Sequence, residues 1–396
     1  MASYGLKKDK FPFNIFALYI VFYAGQAMYN TYLNLFLTST GFSKTQIGIV
    51  QSVSTVVLVI IQPLWGIISD KSKSKNKIIG LLLLATALVC LSFYAYKTVI
   101  WLSLCVMLFS VFFFPAMTLQ DNYTLEFLDK SKWDFGNIRL GGTLGYAFCA
   151  MIVGFIIKQN YENIFWIMAI FFAITGAFYF MLPKVEGHRE KNEKVKYSVL
   201  LKDKSLLCML LFNIMYFMGT AFYFQFYPLY FTESLGASSQ MVGMLSFVSA
   251  MSEIPFFWFA YKIEKKLGVE KVMILAGIAT ALRWFLLFFV TNHFAVLGVN
   301  LLSGFGYVGF CYCLIKYIND NVPKGMRATA QSLNAILGTV FSRIIFAPLG
   351  GYLSDIFGVR SMLMAGGIVM VIGVIVFKLT FKKAQQHTLQ NKSINS

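Results

Sequence analysis

Charge is what this sequence has least of. Asp, Glu, Lys and Arg make up 13% of its 396 residues, about half the share a soluble chain carries. That argues against a fold solvated on all sides, and 58% hydrophobic residues with 41 Phe argue the same way. Histidine (three) and cysteine (six) are scarce too. Cys90, Cys105, Cys149, Cys208, Cys311 and Cys313 all fall in apolar runs, so they read as free thiols, not as a disulfide framework or a zinc set. No metal or cofactor is expected. The chain has no long polar block to build a catalytic domain, and no nucleophile–base set or phosphate loop, so an enzyme is not expected. Gly304-Phe-Gly306-Tyr-Val-Gly309 spells a dinucleotide fingerprint, but it lies in an apolar run with no strand before it. Close helix packing explains it better, as it does Gly141, Gly142 and Gly145. His188, His293 and His387 lie in or beside loops and are expected to be solvated.

What the chain has in quantity is apolar sequence. A bilayer-crossing helix needs about 20 mostly apolar residues. Such runs occupy roughly 12–38, 45–69, 78–96, 100–128, 136–157, 163–182, 206–232, 239–262, 271–290, 294–318, 328–354 and 361–381. The expected fold is an all-α membrane protein with twelve transmembrane helices in two six-helix bundles. The bundles take residues 1–182 and 206–383, joined by a charged linker at 183–205 and followed by a tail at 384–396. The net charge of +17 would suggest nucleic acid in a soluble protein, but its distribution decides otherwise. Of 34 Lys and Arg, 27 fall in the termini and alternate loops that share one side, against four on the other side and three within spans. This bias places both termini and the linker in the cytoplasm of a multi-pass cell-membrane protein, with membrane lipid and no nucleic acid as its surroundings. Lys7, Lys8 and Lys10 precede an apolar stretch longer than a signal peptide's, which reads as a retained first helix.

Charges inside such runs are costly without a partner or a wet cavity. Asp121 and Arg139 flank the turn near Lys132 and differ in depth by about 6 Å. Glu253 and Arg283 flank the turn near Leu267 at nearly one depth, roughly 20 Å in. Each half therefore offers an acid and an arginine that could meet, either as a buried structural pair or as a substrate-and-proton site near the midplane. A carboxyl group in a low-dielectric surrounding can load and release a proton near neutral pH, which favours the second reading. Polar residues line up as well. Gln26, Asn30 and Asn34 recur at i, i+4 and i+8, with Tyr19 and Tyr23 extending their face. Asn300, Ser303 and Tyr307 share a face of the tenth run, and Gln331, Asn334 and Gly338 one of the eleventh. One such residue suits interhelical hydrogen bonding; a converging set suits a hydrated pathway for a polar solute. Tyr216, Tyr223, Tyr227 and Tyr230 offer stacking surfaces, with an interfacial belt as the alternative for Tyr230.

Gly66-Ile-Ile-Ser-Asp70-Lys71, with Lys73, Lys75 and Lys77 behind it, resembles the G-x-x-x-D-[RK] loop motif of the major facilitator superfamily. The resemblance implies a gating role for Gly66, Asp70 and Lys71. Gln62-Pro63-Leu64-Trp65-Gly66, Phe135-Gly136-x-x-Arg139, Gly145-Tyr146-Ala147 and Leu275-Ala276-Gly277 leading to Arg283 resemble the lactose permease group of sugar–proton symporters. Leu282-Arg283-Trp284 and Arg327-Ala-Thr-Ala-Gln-Ser-Leu resemble the phenylpropionate permease group. By that resemblance Asp121 and Arg139 bind a sugar ring, Tyr146 stacks on it, and Glu253 with Arg283 couples binding to proton movement. Aspartate stands at 121 where that group has glutamate, and Ser303 and Gly306 fall near its histidine and glutamate of the tenth span.

The sequence thus leads to a monomeric secondary transporter working by alternating access. It would move a small polar solute, a sugar or oligosaccharide, together with protons. Asp121, Arg139, Tyr146, Gln26, Asn30 and Asn334 would bind the substrate, and Glu253, Arg283 and Asp121 would couple the proton. Export of amphipathic drugs or lipids, and uptake of an aromatic acid or nucleoside, are the alternatives.

Overall fold

A computed structural model describes residues 11–128, 131–158, 160–184, 200, 203–323 and 326–394. The basic N-terminus, most of the charged linker with His188, and the side chains of Tyr223 and His387 lie outside the described residues. All regular structure among the described residues is helical, as a bilayer requires, because a helix satisfies its backbone within itself. The first half holds α1 (Phe13–Ser39), α2 (Lys44–Asp70), α3 (Lys75–Ser92), α4 (Val99–Leu128), α5 (Phe135–Ile157) and α6 (Ile164–Met181). The second holds α7 (Lys204–Leu229), α8 (Ser239–Leu267), α9 (Val269–Phe289), α10 (His293–Asn300), α11 (Leu302–Asn321), α12 (Arg327–Ala335), α13 (Phe341–Phe357) and α14 (Val359–Ile394).

Eleven helical spans among the described residues are long and apolar enough to cross a membrane. The helix α1 is long enough, but its Tyr, Asn and Gln residues keep it out of that set. The expected tenth run breaks at Leu301 into α10 and α11. The eleventh carries a π-helical stretch, Ile336–Val340, between α12 and α13. The helix α14 runs to Ile394, past the apolar run that feeds it. Two hairpins turn on one residue each, Gly268 (φ 81°) and Gly358 (φ 79°), a backbone shape that glycine adopts without steric cost.

The chain forms two compact units. One comprises the described residues within Met1–Phe42, Val53–Lys191 and Ser238–Phe247; the other, those within Ser43–Ser52, Asn192–Ala237 and Val248–Ser396. The first is cored by stacked rings from three helices: Phe22 on Phe113 at 5.2 Å, Phe109 on Phe113 at 4.8 Å, and Phe172 closing the cluster. Helices α1 and α5 meet backbone to backbone, since a Cβ on Gly145 would lie 2.1 Å from the Ile20 carbonyl oxygen. In the second unit Tyr216 stacks on Phe310 at 3.9 Å and Phe212 on Phe377 at 4.7 Å. A Cβ on Gly304 would meet the Ser252 carbonyl oxygen at 2.0 Å, so the glycine-rich stretch of α11 is a packing face, as its apolar setting suggests.

Two expectations change. His293 is half-buried and donates from Nε2 to the Leu235 carbonyl at 2.7 Å, because it starts α10 against the end of α7's π-helical extension. Tyr230 is buried and donates to the Leu287 carbonyl at 2.5 Å, so it belongs to the interior of its unit and not to an interfacial belt.

Candidate functional site

Between Phe22 and Thr38, every residue of α1 is buried except Gln26, Asn30, Asn34 and Thr38. The i, i+4, i+8 stripe is thus the least buried side of α1 over that stretch. Asn30 is exposed, and Gln26 donates from Nε2 to Met117 Sδ at 3.5 Å. Three amide side chains in succession on an otherwise enclosed helix have a high desolvation cost against lipid, so this face suits water or a polar solute.

One to two turns toward its N-terminus, α1 meets the acid and the arginine. Tyr19 Oη donates to Asp121 Oδ1 at 2.7 Å, with Thr124 Oγ1 at 3.1 Å beside it. Tyr23, one turn on, stacks on Tyr19 at 5.8 Å between centroids and carries the Arg139 guanidinium 3.9 Å above its ring. Among the described residues Asp121 and Arg139 make no ion pair. The tyrosine pair mediates between them, and only their charges interact. A guanidinium held by a ring face keeps its in-plane N–H donors available, a ready fork for hydroxyl or carboxylate oxygens. Gly142 makes that stack possible: a Cβ there would lie 2.6 Å from the Tyr23 ring and 2.7 Å from Arg139 Nη1. Tyr146 is half-buried on α5, two turns beyond Arg139 on the same face.

In the second unit, buried Arg283 donates from Nε (3.2 Å) and Nη2 (2.7 Å) to Asn300 Oδ1. Asn300 Nδ2 in turn donates to Tyr227 Oη and to the Val296 carbonyl at 2.7 Å. Arg283 is therefore fixed by an amide from the end of α10. Glu253 is half-buried on α8, and its charge reaches Tyr216, Tyr307 and Cys311. Asn334 sits just before the π-helical stretch, where its backbone carbonyl accepts from Asn213 Nδ2 at 2.9 Å. Both Oδ1 atoms, of Asn213 and of Asn334, are buried without a hydrogen-bond partner among the described residues. Asn213 went unremarked in the sequence because a lone Asn in an apolar helix resembles any interhelical bridge. Thr124 carries no signal in the sequence, and Cys311 none beyond that of a thiol in an apolar run.

The loop motif is placed differently from the interior groups. Asp70 is the exposed last residue of α2 and has no hydrogen-bond or ion-pair partner among the described residues. A Cβ on Gly66 would meet nothing within 4 Å.

Known proteins to which this chain is similar include carriers. It is 26% identical over 343 residues to the putative nucleoside transporter YegT of Escherichia coli (strain K12), covering 81% of this chain and 79% of that one. It is 24% identical over 390 residues to the maltose permease of Geobacillus stearothermophilus, covering 95% of each chain. Its fold superposes on the crystal structure of the nucleoside transporter NupG with a TM-score of 0.81 at 18% identity, covering 93% of this chain and 98% of that one. The major facilitator resemblance of residues 62–71 and 135–150 is borne out over most of the chain. A family model matches residues 13–365, and the protein belongs to the family it describes, the MFS_1-like family of membrane transporters.

Proposed function

We propose that the protein is a proton-coupled carrier of a small ring solute bearing hydroxyls, with nucleosides as the first substrate class and free sugars or oligosaccharides as the second. The observation that carries this reading is the cluster of Arg139 over Tyr23, with Tyr19 bonded to Asp121, one to two helical turns from the Gln26–Asn30–Asn34 stripe. In this scheme Arg139 donates to substrate oxygens, Asp121 accepts from a hydroxyl, Tyr146 stacks on the ring, and Gln26, Asn30 and Asn334 supply amide bonds. Glu253 carries the proton and Arg283 sets its charge balance. Nucleosides come first because the putative nucleoside transporter YegT is a relative in sequence and the fold matches that of the nucleoside transporter NupG; maltose permease supports the sugar reading.

The same proposal counts α1 as a twelfth crossing and keeps the bundles at 1–182 and 206–383, with the linker and both termini cytoplasmic. The carrier acts as a monomer by alternating access, gated at Gly66, Asp70 and Lys71. Uptake of labelled uridine and labelled maltose into right-side-out vesicles, with and without an inward proton gradient, tests it. Gradient-driven uptake of one of them, abolished in Arg139→Ala, is expected. Absence of uptake of both, with drug extrusion from intact cells instead, would replace import by export of amphipathic compounds.

A further inference from the structure

A crevice of about 520 Å³ opens between the start of α7 and the late turns of α14, lined by Lys204, Leu207, Cys208, Leu379, Lys383 and Ala384 among others. Its composition is divided: two cations and an apolar floor, with no acid among its lining residues. Behind that lining the two helices are tied together by Phe212 stacked on Phe377, with Phe381 stacked on Phe377 one turn along α14 (4.9 Å). The cations are uncommitted, since neither Lys204 nor Lys383 has an ion-pair or hydrogen-bond partner among the described residues. The acid next to Lys204 is already engaged: Asp203 caps α7, accepting from Ser205 N at 2.9 Å and Leu206 N at 3.2 Å. Leu379 is 65% exposed and Leu207 37%, so greasy surface lies directly beside the two ammonium groups. A lysine that only snorkels to a bilayer surface needs no such hollow.

We propose that this crevice is a binding site for one anionic phospholipid. Lys204 and Lys383 hold its phosphate, and an acyl chain lies on Leu207 and Leu379. Lys204 starts α7 and Lys383 lies where the apolar part of α14 ends, both on the side where Lys and Arg accumulate, the depth at which phosphodiesters sit. A zwitterionic lipid fits worse, because its own ammonium group faces the two lysines. The site is independent of the solute site: it uses no residue of the Arg139 or Arg283 clusters.

The test is native mass spectrometry of the detergent-purified full chain with phosphatidylglycerol against phosphatidylcholine, alongside thermal unfolding with each lipid. One retained phosphatidylglycerol per protein is expected, with a preference of roughly 30-fold, the factor two lysines supply. Lys204→Gln/Lys383→Gln should lose that preference, whereas Lys265→Gln/Lys266→Gln, which removes the same charge from the end of α8, should keep it. Equal retention of both lipids by the wild-type protein overturns the proposal, whether or not the variants fold. So does an equal loss in the two variants, or the same thermal shift from inorganic phosphate alone.

Discussion

Asp355 and Lys158 occupy equivalent places in two copies of one helix contact. In the second unit the start of α2 packs on α13: a Cβ on Gly351 would lie 2.2 Å from the Lys44 carbonyl oxygen, and one on Gly48 would lie 2.3 Å from that of Ala347. In the first unit the start of α8 packs on α5 in the same way. A Cβ on Gly154 would lie 2.6 Å from the Ser239 carbonyl oxygen, and one on Gly243 would lie 2.4 Å from that of Ala150. Residues 150, 154 and 158 map onto 347, 351 and 355 at one constant offset. The chemistry at the third position differs. Lys158 offers its backbone carbonyl to Ser239 Oγ, whereas Asp355 uses its carboxylate on Lys44 N (3.0 Å), Thr45 N (2.8 Å) and Thr45 Oγ1 (2.6 Å).

Asp355 is thus an anionic cap on the N-terminus of α2, where the helix dipole favours negative charge. Asp355→Ala is expected to destabilise the purified protein by about 1 kcal/mol, the usual worth of such a cap, and Asp355→Asn by less, because its amide oxygen still accepts. Gly48→Leu should be far more damaging, because backbone occupies the space its side chain needs, whereas Gly66→Ala should leave unfolding unchanged. Thermal unfolding of the four variants checks the order. A Gly48→Leu protein as stable as wild type would disprove the close contact.

The stack of Arg139 on Tyr23 makes a separate prediction about the solute. Arg139→Lys keeps the charge but loses the planar fork and its ring contact, so substrate affinity should fall by about 10- to 100-fold, the worth of one or two charge-assisted hydrogen bonds. Gly142→Ala touches no solute, yet it crowds both partners of the stack and should lower affinity in the same direction. Calorimetric titration of the substrate found in uptake assays measures both. Unchanged affinity in Arg139→Lys would remove the arginine from the site.

On the proton side, Glu253→Gln should abolish accumulation driven by a proton gradient while leaving solute exchange between loaded vesicles. If uptake in that variant still collapses on adding a protonophore, Glu253 is not the carrier. Asn300→Leu separates coupling from architecture. It removes the Asn300 acceptor from a buried guanidinium, at a cost of about 1.5–3 kcal/mol, and should lower the yield of folded protein instead of altering coupling alone.

What the sequence revealed follows from energetic incongruity. Ionised groups in apolar runs and amides at helical spacing stand out because each is expensive where it lies, so Asp121, Arg139, Glu253, Arg283 and the α1 stripe were legible by position. Which residues they would pair with was not. Asn300 lies 17 residues from Arg283 and is an ordinary amide in its own helix, and the Tyr19–Asp121 bond joins positions 102 residues apart. Asp355 looks like any acid at the end of a span, and only the folded chain brings it to Thr45. The loop motif drew attention to Asp70 instead, which is exposed and unpartnered among the described residues. The stripe also explains why α1 is long enough to cross a membrane yet falls outside the apolar set: the amides that make it useful lower its hydropathy.

That stripe gives a direct test of which side of α1 meets water. Asn30 is exposed, and Leu33, three residues on, is 1% exposed. In a background with the half-buried Cys208 and Cys311 replaced by serine, Asn30→Cys should react with a membrane-impermeant charged maleimide in opened vesicles. Leu33→Cys should not, and saturating substrate should slow the Asn30→Cys reaction. A thiolate is needed for the reaction, and a thiol in hydrocarbon ionises poorly, so labelling reports water at that atom. If Asn30→Cys stays unlabelled while a loop cysteine reacts fully, the amides of α1 face lipid or protein, and the hydrated path past Arg139 has no support.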